Sequence, residues 1–305
     1  MSSTDKDLLT ETGRPGQIMP PDRVSYDEGV LLDALDFRAE QSYHRGRLAR
    51  ALTYLFGTGT AAGLKVVWEK PLQPDDDPQF PDGREERLRL QPGLAIDRLG
   101  RLIEVPRSWC IRLDRWYRSH EAAKLTAALH GGAVIADVFL RFLTDERGRT
   151  PAFASGPFDA IDATVPSRLR DAFAVDLVLR AEDPPPLPEG PWPDLSQGTP
   201  GERRDALHTA VLDAWREGTG FLDDQGRLAP LSEHVAGQDT TAVFLARVSL
   251  PADPGVPQGE NEPPPPVRQD PFTVDVEVDN LIRRFAYPAG ALAALAGIRS
   301  SGDLP

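Results

Sequence analysis

Apolar side chains first recur with a helical period between Asp36 and Leu55, where Phe37, His44, Leu48, Ala51, Leu52 and Leu55 follow one another at three- and four-residue steps. That spacing predicts an amphipathic helix, with Arg38, Arg45, Arg47 and Arg50 falling mostly outside the stripe. Asp36 is placed to cap its start and Gly57 to stop it. His44 lies on the stripe and reads as a hydrogen-bonded histidine in or beside the core. Gly46, inside the helix, costs about 1 kcal/mol against alanine. Ahead of it the burst Val30-Leu31-Leu32 predicts a buried lead-in.

After the glycine-punctuated turn Phe56 to Gly63 the period shortens to that of strands. Leu64–Glu69, Leu88–Gln91 and Leu94–Val105 are short apolar runs, with reversals at Pro92-Gly93 and Arg98-Leu99-Gly100, which predicts a β meander. Pro71 to Glu86 interrupts it as a hairpin loop. Ser108–Leu113 continues as a strand, Asp114–Leu129 reads helical, and Ala133–Leu143 reads as a central strand that Asp145-Glu146-Arg147-Gly148 turns back. Phe173–Arg180 alternates as a half-buried strand, and Glu202–Glu217 carries Leu207, Val211, Leu212 and Trp215 on one helical stripe. Asp223 to Gly226 is a turn and Thr241–Leu250 a strand. Phe272–Val278 alternates strictly, Asn280 can cap a short helix from Leu281, and Pro288 precedes a last helix over Ala289–Ile298.

These elements predict an α+β fold, β-rich, with meander or sandwich-like sheets, an N-terminal helix, an inserted helix and a short C-terminal helical segment. The expected divisions are a flexible arm over 1–22 and a helix plus β-meander core over 23–182. A proline-rich connector with a helical insertion follows over 183–240, and 241–305 holds strands completing the core and a helical tail. Asp183–Gly201 and Pro251–Pro271 are dense in proline, which favours polyproline conformation with no internal hydrogen bonds. Trp192 in the first of them either packs back on its own domain or anchors another subunit.

Three stretches then stand out together: Asp-Phe-x-x-Glu-Gln-x-Tyr (Asp36, Phe37, Glu40, Gln41, Tyr43), Gly-x-Gly-x-x-x-Gly-Leu-x-Val (Gly57, Gly59, Gly63, Leu64, Val66) and Pro-Gly-x-Ala-Ile-Asp-x-x-Gly-Arg-x-Ile-x-Val (Pro92, Gly93, Ala95, Ile96, Asp97, Gly100, Arg101, Ile103, Val105). They resemble a family of non-enzymatic proteins associated with phage tails and contractile injection systems. Val138–Phe142, Ser167–Asp171 and Leu245–Ser249 look similar too. The resemblance implies a structural component of a phage-tail-like particle, a baseplate-proximal or outer-shell accessory protein. It implies baseplate, sheath or tube proteins as partners, a homo-oligomer within the assembly, and cytoplasmic assembly into a particle that can be released. It carries no catalytic residues across.

Charge narrows the partners. With 34 basic and 47 acidic residues the chain carries −13, which disfavours general binding to nucleic acid or an anionic membrane. Only Lys6, Lys65, Lys70 and Lys124 among the basic residues are lysines, which reads as compositional bias. Cys110 is the sole cysteine, so neither an intrachain disulfide nor a thiolate cluster is expected. Met1 to Thr12 lacks the basic-then-apolar layout of an export signal, and no run of about 20 apolar residues predicts a membrane span.

The search for chemistry yields no catalytic, cofactor-binding or metal-ligating residue. His44, His120, His130, His208 and His234 include no pair at helical zinc spacing. Asp75, Asp76, Asp77 and Asp82 offer oxygens to Ca²⁺ but lack the alternation and closing glutamate of a calcium loop. Gly57-Thr58-Gly59 lacks the lysine of a phosphate loop and precedes a strand. A β-rich module binding a carbohydrate or surface ligand is the alternative expectation, and a hydrolase with paired carboxylates a more distant one.

Overall fold

Helix α1, Ala34–Phe56, begins under a capping box one turn earlier than the sequence predicts. The Asp33 carboxylate accepts from the Leu35 and Asp36 N–H groups at 2.6 and 3.2 Å, and Asp36 accepts from the Asp33 N–H at 2.8 Å. At the other end the Gly57 N–H bonds to the Thr53 carbonyl at 3.0 Å. The computed structural model describes residues 23–151, 164–190, 192–219, 228–255 and 264–295. The 1–22 arm and the Asp223–Gly226 turn lie outside the described residues.

Six short strands follow: β1 Gly59–Gly63, β2 Val66–Glu69, β3 Arg87–Leu90, β4 Gly93–Ile96, β5 Leu102–Val105 and β6 Trp109–Arg112. They form two antiparallel three-stranded sheets, ordered β1-β4-β5 and β2-β3-β6. The chain alternates between them at the Gly63–Gly93 crossing. There a Cβ on Gly63 would lie 2.2 Å from the Pro92 carbonyl oxygen, so only glycine lets the two backbones approach.

After α2 (Leu113–Arg118) and α3 (Ala122–Ala127) come β7 Leu129–His130, β8 Ala133–Pro151 and β9 Thr164–Leu179. Then α4 (Pro200–Thr219), β10 Val243–Asp253, β11 Val267–Arg268, β12 Glu277–Asp279 and α5 (Ala289–Leu295) complete the described order. The third sheet runs β11-β10-β8-β7, with β9 on β8 beyond β7 and β12 on the free edge of β10. One apolar cluster extends from Leu64 to Val276, with Val134, Leu140, Leu245 and Leu250 fully buried. On the other face Phe139, Ala242 and Phe244 make a smaller cluster with Val178 and Ile282. Each fully buried leucine or phenylalanine contributes about 1.5–3 kcal/mol relative to exposure.

On the Phe139 face of β8 lies a buried acid. Asp137 on β8 accepts from Arg247 Nε at Oδ1 and Nη2 at Oδ2, at 2.8 and 3.0 Å, and Arg180 Nη1 lies 3.3 Å from the same Oδ2. Asp137 and Arg180 have no exposed side-chain surface. Burial pushes the Asp137 carboxyl above its ordinary value, while the Arg247 hydrogen bonds and the charges of Arg247 and Arg180 pull it back. The spare donors of Arg247 reach the carbonyls of Pro185 and Pro186, each at 3.0 Å, and Arg180 donates to the Glu233 carbonyl. The first proline-rich segment is thus tied to the sheet through its unpaired backbone oxygens.

Four sequence expectations need correction. Asp145–Gly148 does not turn the chain, because β8 keeps pairing with β9 as far as Pro151↔Thr164. Phe272–Val278 is not one strand: the Thr273 and Val274 N–H groups both bond to the Asp270 carbonyl at 3.0 Å, and pairing starts at Glu277. Asn280 caps no helix. Its amide imitates a peptide group on the edge of β2, accepting from the Val66 N–H at 2.8 Å and donating to the Val66 carbonyl at 2.9 Å. The helix expected over Asp114–Leu129 is split, since the Ser119 and His120 N–H groups close a tight turn on Arg115, Trp116 and Tyr117.

Replacing Asp137 by alanine strands two guanidiniums in the interior. The expected loss is about 3–5 kcal/mol, read as a lowered urea midpoint at unchanged slope. A loss under about 1 kcal/mol would mean that the arginines hold the sheet without their acid.

Candidate assembly surface

The polar residues singled out in the sequence do not converge. His44 is exposed and hydrogen-bonded to Glu40 at 2.7 Å, which corrects its placement in the core. His120 faces the Trp116 carbonyl at 2.8 Å, His130 lies 3.7 Å from Asp183, and His208 sits exposed on α4. Cys110 is exposed. In the acidic loop, Asp76 and Asp77 accept from the Gln73 and Gln79 N–H groups at 2.7 and 2.8 Å, closing their own turns. The glycine turn Gly57–Gly59 leads into a clasp, with the Thr60 N–H on the Arg284 carbonyl and the Ala286 N–H on the Thr60 carbonyl. Among the described residues no three His, Cys, Asp or Glu side chains are grouped to hold a metal.

A groove of about 820 Å³ lies between α2, α3 and the Pro265–Pro271 segment. Its buried acid, Glu86, is engaged at both oxygens by Arg268, at 2.6 and 2.8 Å, and by the Trp68 indole N–H at 2.7 Å. One wall is the second proline-rich segment, held by the Tyr117 hydroxyl on the Pro266 carbonyl at 2.9 Å and Thr126 on the Pro264 carbonyl at 3.3 Å. The described residues of both proline-rich stretches therefore spend carbonyls on their own chain. Trp192 stays 54% exposed.

His234 is one of the buried polar residues that the sequence does not mark, because a loop histidine beside Glu233 has no periodicity. Its Nδ1 accepts from the Leu231 N–H at 3.0 Å and its Nε2–H donates to the Ala242 carbonyl at 3.0 Å, which fixes one neutral tautomer. Burial, first, and the charges of Arg98 and Arg284 hold its pKa below the ordinary 6.5, against the Ala242 carbonyl and Glu233.

Part of the exposed apolar surface lies on the helices α1 and α4. On α1, Phe37, Leu48 and Leu55 are 55%, 59% and 75% exposed, and Leu31 ahead of it is 95% exposed, so the lead-in is not buried. The reason is the way α1 docks. Its buried residue is Ala49, whose carbonyl meets the Gly100 turn so closely that a Cβ on Gly100 would lie 2.0 Å from it. At about 100° per residue, the expected stripe lies on the side of the helix away from Ala49. Helix α4 lies beside α1 and leaves Val211 and Leu212 at 55% and 81% exposure. His44, Leu48, Ala51 and Leu55 keep a four-three-four spacing, the seam geometry of paired helices.

The described helices and antiparallel sheets make the fold α+β and β-rich, as the sequence predicts. No helix of the described residues is long and apolar enough to cross a membrane. No family model matches the chain, and no curated protein matches it. Among solved structures, a chain of "The baseplate complex from the type VI secretion system" is similar over 53% of this chain, at 16% identity and a TM-score of 0.23. This chain covers 49% of that one, about half its length, and a likeness so slight sets neither fold nor role.

The unfolded chain binds the His234 proton more tightly than the folded one. Stability should therefore be full above about pH 6.5 and fall as the pH drops below it. Melting temperatures taken between about pH 7.5 and 5.5 check this, and His234→Gln, less stable throughout, should lose part of the slope. An unchanged slope in that variant would assign the effect elsewhere.

Proposed function

We propose that this chain is a non-enzymatic structural subunit of a phage-tail-like contractile injection particle, in a baseplate-proximal or outer-shell position. The observation that carries the reading is the outward apolar stripe of α1. A helix with Leu48 and Leu55 in water gains by burying them, and the described residues leave them exposed because α1 is seated through Ala49 on Gly100. The motif resemblance supplies the kind of assembly, and two of its three motifs build this seat: Asp36 to Tyr43 opens α1, and Pro92 to Val105 holds Gly100. The docking elements are then α1 and α4, with the proline-rich stretches as internal braces.

The groove beside Tyr117, Arg118 and His120 favours a second reading, a module for a carbohydrate or surface ligand. Its expected signature is a melting temperature raised by a glycan.

Leu48→Glu with Leu55→Glu separates the two. Both residues are exposed, so the isolated variant should keep its stability within about 0.5 kcal/mol of the parent. It should be absent from purified tail-like particles that retain the parent chain. Normal incorporation of the variant would sink the reading.

A further inference from the structure

Past Leu140, where its pairing with β10 ends, β8 is bonded only to β9. The residues Thr144–Pro151 and Thr164–Asp171 are all exposed and make a two-stranded ribbon about 25 Å long by strand rise. Alternation sorts its side chains. One face carries Glu146, Thr144 and Thr150 with Leu169, Asp171 and Val165 opposite them. The other carries Asp145, Arg147 and Arg149, facing Arg170, Arg168 and Pro166.

That second face is basic on an acidic protein: four arginines against one aspartate, in a chain of net charge −13. Arg147 and Arg168 are direct cross-strand neighbours, an arrangement that destabilises a ribbon already marginal as two strands. Arg147 lies 3.4 Å from Asp145 and Arg149 donates to the Thr164 hydroxyl at 3.2 Å, while Arg168 and Arg170 have no ion-pair partner among the described residues.

The complement is on the same chain but makes no ion pair with its own ribbon among the described residues. The long β2–β3 loop presents Asp75, Asp76 and Asp82 exposed, with Asp77 half-buried between them. We infer that the arginine face of the ribbon binds the acidic β2–β3 loop of a second copy of this chain. The contact joins two different patches, so it closes reciprocally in a two-fold dimer or repeats head to tail in a ring or filament. Nucleic acid is the weaker occupant, since the body of the chain repels phosphate and Asp145 interrupts the cationic face. The contact does not depend on the particle reading and is read out on the isolated chain.

Sedimentation of the full chain at low and high salt tests it. The parent should associate at low salt and dissociate at high salt, because exposed charges are screened. Arg147→Glu with Arg168→Glu should weaken association by about tenfold or more, as should Asp75→Lys with Asp76→Lys and Asp82→Lys. Each variant keeps one parental surface, so mixing the two should restore a complex. Unchanged far-ultraviolet dichroism confirms the fold of each. A parent that stays monomeric at low salt overturns the inference. So does association that survives both reversals, or a duplex DNA probe bound by the parent and lost with the ribbon reversal.

Discussion

Asp137 is the point on which the main sheet depends. It sits at zero exposure on the strand flanked by both β9 and β10, and it is satisfied by one arginine from β10 and one from the end of β9. Because side chains alternate along a strand, a slip of one residue would carry this carboxylate to the opposite face and leave two guanidiniums unpaired. The acid therefore sets the register of both neighbours of β8 at once. From there the ties run outward. Arg247 reaches the carbonyls of Pro185 and Pro186, and Arg180 reaches the carbonyl of Glu233 in the loop whose next residue is His234. A loop that would otherwise have little to bury is fixed by donors projecting from the sheet.

The same device recurs. Arg101 binds buried Asp97 at 2.6 Å and the Thr241 hydroxyl at 2.8 Å, and Arg98 from the same hairpin reaches the Ala229 and Thr240 carbonyls at 2.7 and 3.0 Å. Arg283 donates to the Leu64 carbonyl at 2.7 Å and the Asn280 carbonyl at 2.9 Å. Each guanidinium joins segments far apart in sequence by using several donors of one rigid fork. A lysine ammonium could not reproduce this, being a point charge on a flexible stem. The arginine excess, read from composition as bias, thus has structural use at these buried positions.

The sequence made the strands legible wherever side chains alternate over a packed face, as in Ala133–Leu143 and Thr241–Leu250. It also gave both long helices and the reversals at Gly93 and Gly100. It misled where local pattern and tertiary partner disagree. The alternation of Phe272 to Val278 is real, yet Asp270 captures two of its N–H groups and Phe272 stays 45% exposed. The turn residues Asp145 to Gly148 are held in a ribbon by fifteen-odd positions of continuous β9 register that no local window contains. For α1 the period was right and the direction wrong. Whether a helix buries its apolar stripe is decided by what it docks on, and here the seat is a glycine turn that accepts only a small-residue edge. His234 had no sequence signal, since its role rests on two backbone partners three and eight residues ahead or behind.

Two surfaces stay largely exposed among the described residues, and they differ in physics. The α1 stripe is apolar, so its burial gains from release of water and changes little with ionic strength. The ribbon is cationic, and its attraction decays over about 10 Å at 0.1 M salt. They also sit on elements with unlike mechanical support. Helix α1 is seated against the Gly100 turn and cannot roll to hide Leu48 and Leu55 without lifting the Ala49 carbonyl off that glycine. The ribbon has only its own cross-strand bonds and can bend as it docks. A rigid apolar face suits one fixed neighbour, whereas a compliant charged arm suits a contact repeated between copies at a variable angle. Nothing in the core requires either surface: both could be exchanged for polar, neutral residues with the Asp137 register and the Gly100 seat untouched, which is the property expected of surfaces kept for other chains.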